Sequence, residues 1–418
     1  MGESCHPTRP HKLSTSMVSI KALITKEEKR QAETLDLIAS DNIIPADIRE
    51  ALGSVLANKY AEGYPHKRYY GGNEVIDEVE LEAIRAARKL FGAEWANVQP
   101  YSGTPANLAI YTALLSFGDR VMGMSLAHGG HLSHGHKVSF SGQAYKFTQY
   151  GVDPKTGLLD YDEIQKLAKI FKPKLIVCGA TAYPRQIDFK RFKKIAKSVG
   201  AYLMADISHI AGLVAGGVHP SPFPHADVVM TTTHKTLRGP RGAIIMCKEG
   251  LAEAIDKAVF PGIQGGPHEN VIAAKALCLQ AAAKPAFKRY AKQIVANARA
   301  LADELIRLGF SLVSGGTDTH LVLVDLTNQD ITGKVAELAL NQAGIVVNKN
   351  MIPDDPRTPF NPSGMRVGVA SVTTRGMKAS EMKKMAGFIA QVVANPKSSL
   401  VLSRVRREVK SLCKKFPI

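Results

Sequence analysis

The sequence predicts an α/β fold, with a large domain built on a mostly parallel sheet and a smaller C-terminal α+β domain. Strand-like and helix-like segments alternate through the middle of the chain, as in βαβ units with helices on both faces of a sheet. After Gly266 two long helices replace this alternation. The 418 residues, 45% hydrophobic and 22% charged, can form two or three domains with buried cores. This composition excludes a disordered chain, and no apolar run approaches the roughly 18 residues of a membrane span.

Each element of the large domain is predicted from a local pattern. Short apolar runs are typical of the buried strands of a parallel sheet, and amphipathic runs that end near glycine are typical of helices. The strands are predicted at residues 97–101, 120–125, 174–180, 202–206, 227–232 and 243–247. The helices between them are predicted at residues 105–115, 162–171 and 188–198.

The rest of the chain is predicted to form a small domain and an N-terminal arm. A helix at residues 269–283 is broken by Pro285, and a second helix runs to about residue 308, where Gly309 ends it. Strands follow at residues 321–326, 345–348 and 365–370, and helices at residues 334–342 and 380–394. In the arm, Thr25 and Glu28 fit a capping box. We expect the arm at residues 1–45, the large domain at residues 46–284 and the small domain at residues 285–418.

The net charge of +17 permits two classes of partner, nucleic acid or an anionic small molecule. The alternative is that the basic residues form a solvated surface with no specific partner. Nucleic acid has no further support, because aromatic residues make up only 6% and no RNA-recognition motif or zinc finger occurs. The five cysteines include no C-x-x-C pair, so we expect neither a disulfide framework nor a structural zinc site. The first 20 residues lack the apolar core of a secretory signal, and we expect a cytoplasmic protein.

Two residues predict the chemistry most directly. Lys235, in the segment TTTHKTLRGPRG at residues 231–242, follows a predicted strand. Burial and the nearby cations Arg238 and Arg241 would lower its pKa, which suits Schiff-base formation; the alternative is a basic surface loop. Asp206 ends another predicted strand, where a carboxylate could pair with a pyridinium nitrogen or merely cap a helix.

Three loops complete the pattern. Ser102, Gly103 and Thr104 precede Pro105 at a predicted helix start, where free N–H groups could bind phosphate or an ordinary cap could form. A second anion candidate is the glycine-rich segment 260–267. The histidine-rich segment 128–136 suggests an imidazole that stacks on an aromatic ring rather than a metal site, because no cysteine or carboxylate lies nearby in sequence. A phosphate cradle, a ring stacker, a pyridine partner and a Schiff-base lysine together predict a pyridoxal-phosphate enzyme.

These motifs closely resemble the serine hydroxymethyltransferase family. The resemblance extends from about Glu33 to the C-terminus. The matching segments are residues 37–40 (LIAS), 58–65 (NKYAEGYP), 67–72 (KRYYGG), 126–132, 231–242, 261–267, 347–350 and 373–376 (TTRG). The resemblance implies the type I fold of pyridoxal-phosphate-dependent transferases, a homodimer or homotetramer, and transfer of a one-carbon unit between serine and tetrahydrofolate to give glycine.

The same resemblance implies roles for individual residues. Lys235 binds the cofactor covalently, Asp206 pairs with its pyridine nitrogen, and His131 stacks on its ring. The residues implied to contact the cofactor also include Ser102, Gly103, Thr104, Thr181, His209, Thr232, His234, Tyr60, Gly265 and Gly266, with the last two glycines reaching the phosphate of the neighbouring subunit. Glu62 handles the proton of the reaction, and Tyr70 is also assigned to catalysis and to substrate binding.

Further contacts to the substrates follow from the same comparison of motifs. Arg366 would bind the carboxylate of the amino acid bidentately, unless it is an ordinary surface arginine. Ser40, Glu62 and His209 match other substrate-side positions. The folate contacts implied are Leu126, Gly130, Leu132 and Asn350.

Several positions depart from the family's usual pattern. This chain has Asp41 where the family usually has Glu, Thr181 where it has Ser, and Ser208 where it has Ala. Residues 369–371 are VAS, where the family more commonly has TPA. None removes a group that the chemistry needs. They leave open a folate-independent aldolase of the threonine type and an α-methylserine hydroxymethyltransferase as alternatives, with nucleic-acid binding as a minor second role.

Overall fold

The structure, a computed structural model, describes residues 18–418 and has the α/β architecture that the sequence predicts. The first 17 residues of the predicted arm lie outside the described residues. The strands are β1 (Leu35–Asp36), β2 (Gly63–Tyr64), β3 (Lys67–Arg68), β4 (Trp95–Asn97), β5 (Arg120–Met124), β6 (Lys146–Tyr150), β7 (Leu175–Cys178), β8 (Tyr202–Asp206), β9 (Val228–Thr232), β10 (Ala243–Cys247), β11 (Ser311–Leu312), β12 (Leu321–Asp325), β13 (Ile345–Val346), β14 (Asn348–Asn350) and β15 (Gly364–Gly368).

Helices occupy most of the remaining chain. They are α1 (Ile20–Glu33), α2 (Ala46–Leu52), α3 (Glu74–Phe91), α4 (Gly103–Leu114), α5 (Phe140–Ala144), α6 (Tyr161–Phe171), α7 (Phe189–Ser198), α8 (Ala211–Ala215), α9 (Ala252–Lys257), α10 (Glu269–Ala282), α11 (Pro285–Arg307), α12 (Gly333–Gln342), α13 (Ala370–Thr374), α14 (Ala379–Ala394) and α15 (Ser399–Lys415). Within the described chain, no helix is both long and apolar enough to cross a membrane.

The main sheet has seven strands in the order β4-β10-β9-β8-β7-β5-β6. The five strands from β9 to β6 run parallel, and β10 and β4 are antiparallel to their neighbours. Alternate residues of a central strand enter two different cores: in β7, Leu175 and Val177 face one core, and Ile176 and Cys178 face the other. Helices therefore cover both faces, which explains why the central strands are apolar throughout.

A second sheet of four antiparallel strands, β11-β12-β15-β14, lies in the C-terminal part of the chain. The arm is attached to this part, because β1 pairs in parallel with β13 and α1 packs against α15. The predicted domain limits near residues 45 and 284 remain predictions. Four buried cysteines, Cys178, Cys247, Cys278 and Cys413, are free, and Cys5 lies outside the described residues.

Some predicted element boundaries are wrong. The arm helix begins with Ser19 as its N-cap, so Thr25 lies inside the helix and does not cap it. Helix α4 begins at Gly103 with Ser102 as the N-cap, which makes Pro105 the third helical residue rather than the first. The predicted strand at residues 365–370 ends at Gly368, and Ala370 already begins α13.

Two long helices were not predicted, although their patterns were present. In α15, Leu402, Val405, Val409 and Leu412 are buried at helical spacing, and the surrounding basic residues are exposed. Helix α3 likewise buries Ile76, Ala83, Ala87 and Phe91, although Asp77 and Glu80 are buried on the same helix. Gly92 ends α3 in a left-handed conformation. The high charge of both segments obscured this apolar face.

A close approach between the arm and β15 requires glycine at position 368. The Gly368 N–H donates to the carbonyl of Leu37 at 2.8 Å. An added Cβ would lie only 2.3 Å from Cα of Ala39. Because Ala39 precedes Ser40, the packing of this glycine sets where the candidate substrate residue Ser40 lies.

We predict that Gly368→Ala destabilises the protein by about 1–3 kcal/mol, because the methyl group overpacks a buried backbone contact. The matched control is Gly387→Ala in α14, where an added Cβ meets no atom within 4 Å. The control should be neutral or stabilising by up to about 1 kcal/mol, because alanine favours a helix interior. Denaturant unfolding of both variants measures the difference, and equal stabilities would contradict the proposed overpacking.

Candidate active site

The candidate site lies where the carboxyl ends of adjacent parallel strands meet. Asp206 ends β8, and Lys235 follows its neighbour β9 by three residues. Ligands bind at such strand ends in many α/β folds. Both residues line one pocket. The other lining residues are Gly103, Asn107, His131, His134, Gly179, Ala180, Thr181, Ser208, His209 and Thr232.

Lys235 is partly buried and lies in this pocket rather than on an exposed basic loop. Burial lowers the pKa of Lys235 to about 8; Asp206 opposes the shift, whereas the positive charges of Arg366 and Arg241 add to it. Among residues 18–418, no side chain or carbonyl forms a hydrogen bond or ion pair with its amine. A substantial fraction of this amine is therefore neutral near physiological pH, which is the nucleophilic form.

Lys275 shows what a structural buried lysine looks like in the same fold. It is 1% exposed, and Nζ donates to the carbonyls of Val98, Pro100 and Ala243 at 2.6, 3.0 and 3.0 Å. Burial lowers the pKa of Lys275 to about 7, yet its amine is fully engaged in tying β4 to β10. The amine of Lys235, in contrast, faces a pocket and makes no hydrogen bond within the described residues.

The carboxylate of Asp206 is held by three donors. Oδ1 accepts from the backbone N–H of Ser208 at 3.0 Å, and Oδ2 accepts from His134 Nε2 at 3.0 Å and from Asn107 Nδ2 at 3.4 Å. Burial alone would raise the pKa of Asp206, but His134 and the charge of Lys235 outweigh it and hold the pKa below its usual range. Asp206 does not cap the next helix, because α8 has Ile210 as its N-cap.

The sequence did not identify the residues that support Asp206. Tyr111, fully buried on α4, places its hydroxyl 2.6 Å from Nδ1 of His134 and so fixes the ring that contacts Asp206. Asn107 lies one helical turn earlier on the same face of α4. That i, i+4 spacing of Asn107 and Tyr111 in a mostly apolar helix was the available signal.

His131 presents a neutral ring to the pocket. Burial is the main cause that lowers the pKa of His131 to about 4. Ser133 Oγ lies 2.7 Å from its Nδ1, and Asn107 donates to Ser133 Oγ at 2.8 Å, which fixes the ring orientation. Groups of three or more metal-ligating side chains are absent from the described part of the chain.

The start of α4 fits an anionic group. Ser102 is the N-cap, yet its hydroxyl does not bond to the first turn. In residues 18–418 the amides of Gly103 and Thr104 have no acceptor, and Thr232 Oγ1 is buried without a partner. A Cβ on Gly103 would lie 2.9 Å from Thr232 Cγ2, so glycine keeps the space between them open. Helix N-termini with free amides bind phosphate.

Arg366 on β15 is 7% exposed and is not a surface arginine. Its Nε donates to Asn348 Oδ1 at 3.1 Å and Nη1 to the carbonyl of Thr181 at 2.8 Å. Nη2 has no partner in the described chain and can bind a carboxylate. Burial lowers the pKa of Arg366 to about 10, so it remains positively charged at neutral pH. Asn348, its cross-strand partner on β14, was not predicted as a site residue.

A second group of predicted site residues does not line this pocket. The hydroxyl of Tyr60 donates to Glu62 Oε1 at 3.1 Å, and the rings of Tyr60 and Tyr70 meet edge to face at 5.1 Å. An added Cβ on Gly265 would lie 3.3 Å from Glu62 Oε1, and one on Gly266 would lie 3.5 Å from the Tyr60 ring. Both tyrosines are exposed, and no hydrogen bond or ion pair within residues 18–418 joins this group to Lys235 or Asp206.

The remaining predicted residues do not line the first pocket. The turn Leu126–His128 leads into a loop whose Gly129 carbonyl accepts from the amide of Thr181 at 2.7 Å. Leu132, on this loop, is 47% exposed. Asn350 lies two residues after Asn348 on β14, hence on the same face of the strand.

Ser40 and His234 line a neighbouring cavity together with Arg241. The contacts predicted for Leu126, Gly130, Leu132 and Asn350 remain predictions.

The model of the family described as serine hydroxymethyltransferase matches residues 13–389. The match includes both groups of candidate site residues.

We predict that acylation of Lys235 in the cofactor-free protein rises with pH about a midpoint near 8. An ordinary lysine would have its midpoint near about 10.4. Asp206→Asn removes the negative charge that raises the lysine pKa, so its midpoint should fall. Pulse labelling with acetic anhydride and peptide mass spectrometry measures both profiles. A wild-type midpoint near 10, or an upward shift in the variant, would contradict the electrostatics of the pocket.

Proposed function

The chain belongs to the serine hydroxymethyltransferase family, and from that membership we propose that it transfers a one-carbon unit reversibly between serine and tetrahydrofolate. The products are glycine and 5,10-methylenetetrahydrofolate. The observation that carries the proposal is the unengaged amine of Lys235 beside the ionised carboxylate of Asp206 in one pocket. Members of this family depend on pyridoxal 5'-phosphate and use tetrahydrofolate.

The residues of the pocket fit pyridoxal 5'-phosphate. When bound, this group supplies an electron sink for cleaving bonds at the α-carbon of an amino acid. The free amides at Gly103 and Thr104 and the unpartnered hydroxyl of Thr232 suit its phosphate. The residues proposed to hold the rest are His131 at the ring face, Asp206 at the ring nitrogen, Thr181 and His209 near the phenolic oxygen, and Lys235 as the covalent anchor.

Each charged residue then has a distinct task. Asp206, ionised by its three donors, would keep a proton on the ring nitrogen. The amine of Lys235, partly neutral near pH 8, would attack a carbonyl carbon and accept protons. Arg366 would orient the substrate carboxylate through its free Nη2. Glu62 would hold the proton that is exchanged with the hydroxyl group of serine or with folate.

We propose a homodimer in which the group of Tyr60, Glu62, Tyr70, Gly265 and Gly266 completes the pocket of the partner subunit. Its exposed tyrosines, its absence from the lining of the Lys235 pocket, and the lack of a hydrogen bond or ion pair to Lys235 within residues 18–418 support this arrangement. We also propose a cytoplasmic location, with which the four free buried cysteines are consistent.

Assays of serine cleavage with and without tetrahydrofolate test the reaction itself. Folate-dependent formation of glycine supports the proposal. Turnover of β-hydroxy amino acids without folate would instead indicate the threonine-type aldolase, and turnover of α-methylserine alone would indicate the third candidate. Thr181 and Ser208, which line the pocket and depart from the usual family pattern, are the residues to examine in those cases.

We predict opposite effects for two variants on binding and turnover. Arg366→Ala should weaken amino-acid binding by roughly 10–10²-fold, because hydrogen bonds to a charged group contribute about 1.5–3 kcal/mol. Glu62→Gln should leave binding nearly unchanged and lower turnover by roughly 10²–10⁴-fold, because it cannot exchange a proton. Spectral titration with glycine and folate-dependent turnover measure the two effects.

Two exposed positions provide matched controls, Arg357→Ala and Glu78→Gln, which should change neither quantity. Weaker binding in Glu62→Gln with unchanged turnover at saturation would contradict the role of Glu62.

Subunit mixing tests the shared site. In a hybrid of Lys235→Ala and Glu62→Gln subunits, one site has both native residues only if Glu62 comes from the partner. Co-refolding equal amounts of the two inactive proteins should restore about a quarter of the wild-type activity in a twofold-symmetric dimer. No restoration, with hybrids demonstrated by differential tagging, would place Glu62 in the site of its own chain.

A further inference from the structure

We infer that His320 is a positioning residue that fixes the proton of His209 on Nε2, so that His209 presents a hydrogen-bond donor to ligands in the Lys235 pocket. The identity of those ligands rests on the proposed function. The arrangement of the two rings does not.

The geometry starts from a backbone carbonyl. His320, immediately before β12, is fully buried, and its Nε2 lies 3.1 Å from the carbonyl oxygen of Ala39. A carbonyl oxygen can only accept, so His320 Nε2 carries a proton. His209 Nδ1 lies 3.3 Å from this same nitrogen. A proton on His209 Nδ1 would point at the N–H of His320 Nε2. His209 Nδ1 must therefore be unprotonated and present its lone pair to His320.

Both rings are neutral. His320 Nδ1 is buried without a partner in residues 18–418, so protonating it would bury an unsatisfied donor. Burial and the charge of Arg366 lower the pKa of His320 to about 3. Burial, Lys235 and Arg366 hold the pKa of His209 well below its usual value. A neutral ring with a bare Nδ1 carries its proton on Nε2.

The consequence is that His209 acts as a donor and not as a base. Its ring lines the pocket with Lys235 and Thr181, and Nε2 has no partner in the described chain. It therefore suits an anionic oxygen, either the phenolic oxygen of the cofactor or a carboxylate oxygen of the amino acid. The carbonyl that accepts from His320 is that of Ala39, the arm residue against which Gly368 packs. The position of the arm therefore determines which ring nitrogen of His209 carries the proton.

Three variants separate the hydrogen bond from packing. His320→Gln keeps an N–H near the position of Nε2, whereas His320→Phe keeps a ring and removes the donor. Thr319→Val is the control, because Thr319 Oγ1 is buried and makes no hydrogen bond within the described residues. Long-range ¹H–¹⁵N spectra of ¹⁵N-histidine-labelled full-length protein, with and without pyridoxal phosphate, report the protonated nitrogen of each ring. His209→Asn assigns the signals.

The wild type, Thr319→Val and His320→Gln should show His209 protonated on Nε2, and His320→Phe should show a mixture of tautomers. His320→Phe should also weaken glycine binding about tenfold, the effect of one hydrogen bond to a charged group, and His320→Gln should restore it. His209 protonated on Nδ1 in the wild type would overturn the inference even if His320→Phe failed to fold. Unchanged His209 signals in a folded His320→Phe would also overturn it. If the protein shows His209 protonated on Nε2 but does not turn over serine, the proposed function is refuted and the inference about His209 still holds.

Discussion

The ionised carboxylate of Asp206 is the interaction around which the candidate site is organised. A buried charge is costly unless several groups satisfy it, and here a backbone amide, His134 and Asn107 all donate to it. Its negative charge limits how far burial lowers the pKa of Lys235 on the adjacent strand. Each charge therefore acts on the other: Lys235 helps to keep Asp206 ionised, and Asp206 prevents the pKa of Lys235 from falling further below about 8.

Helix α4 links this charge pair to the rest of the pocket. Its first residues leave amides free for an anion, while Asn107 and Tyr111, farther along, support Asp206 and the neighbouring histidines. The same helix packs on the main sheet through Ala106, Ala109 and Ile110. Phosphate and ring nitrogen would therefore be held by one helix and two strand ends, which favours a precisely ordered site.

Residues with a local signal could be predicted from sequence. Lys235 and Asp206 follow apolar strands, and Ser102 precedes a helix, so strand order alone brings them to one edge. His134 and Asn348 act only through contacts between distant segments, and no local pattern gives those contacts. For Tyr111 the only local signal is its spacing of four residues from Asn107 on α4. The helices α3 and α15 were missed for another reason, because their high charge hid a narrow apolar face. That Glu62 does not line the pocket of Lys235 is likewise evident only from the folded chain.

The measurement closest to the central claim is to load the protein with pyridoxal 5'-phosphate, reduce it with borohydride and identify the modified lysine by peptide mass spectrometry. The account predicts modification of Lys235 and none of Lys275, whose amine is bound to three carbonyls. Attachment at Lys275 or at an exposed lysine, with Lys235 unmodified, would contradict it.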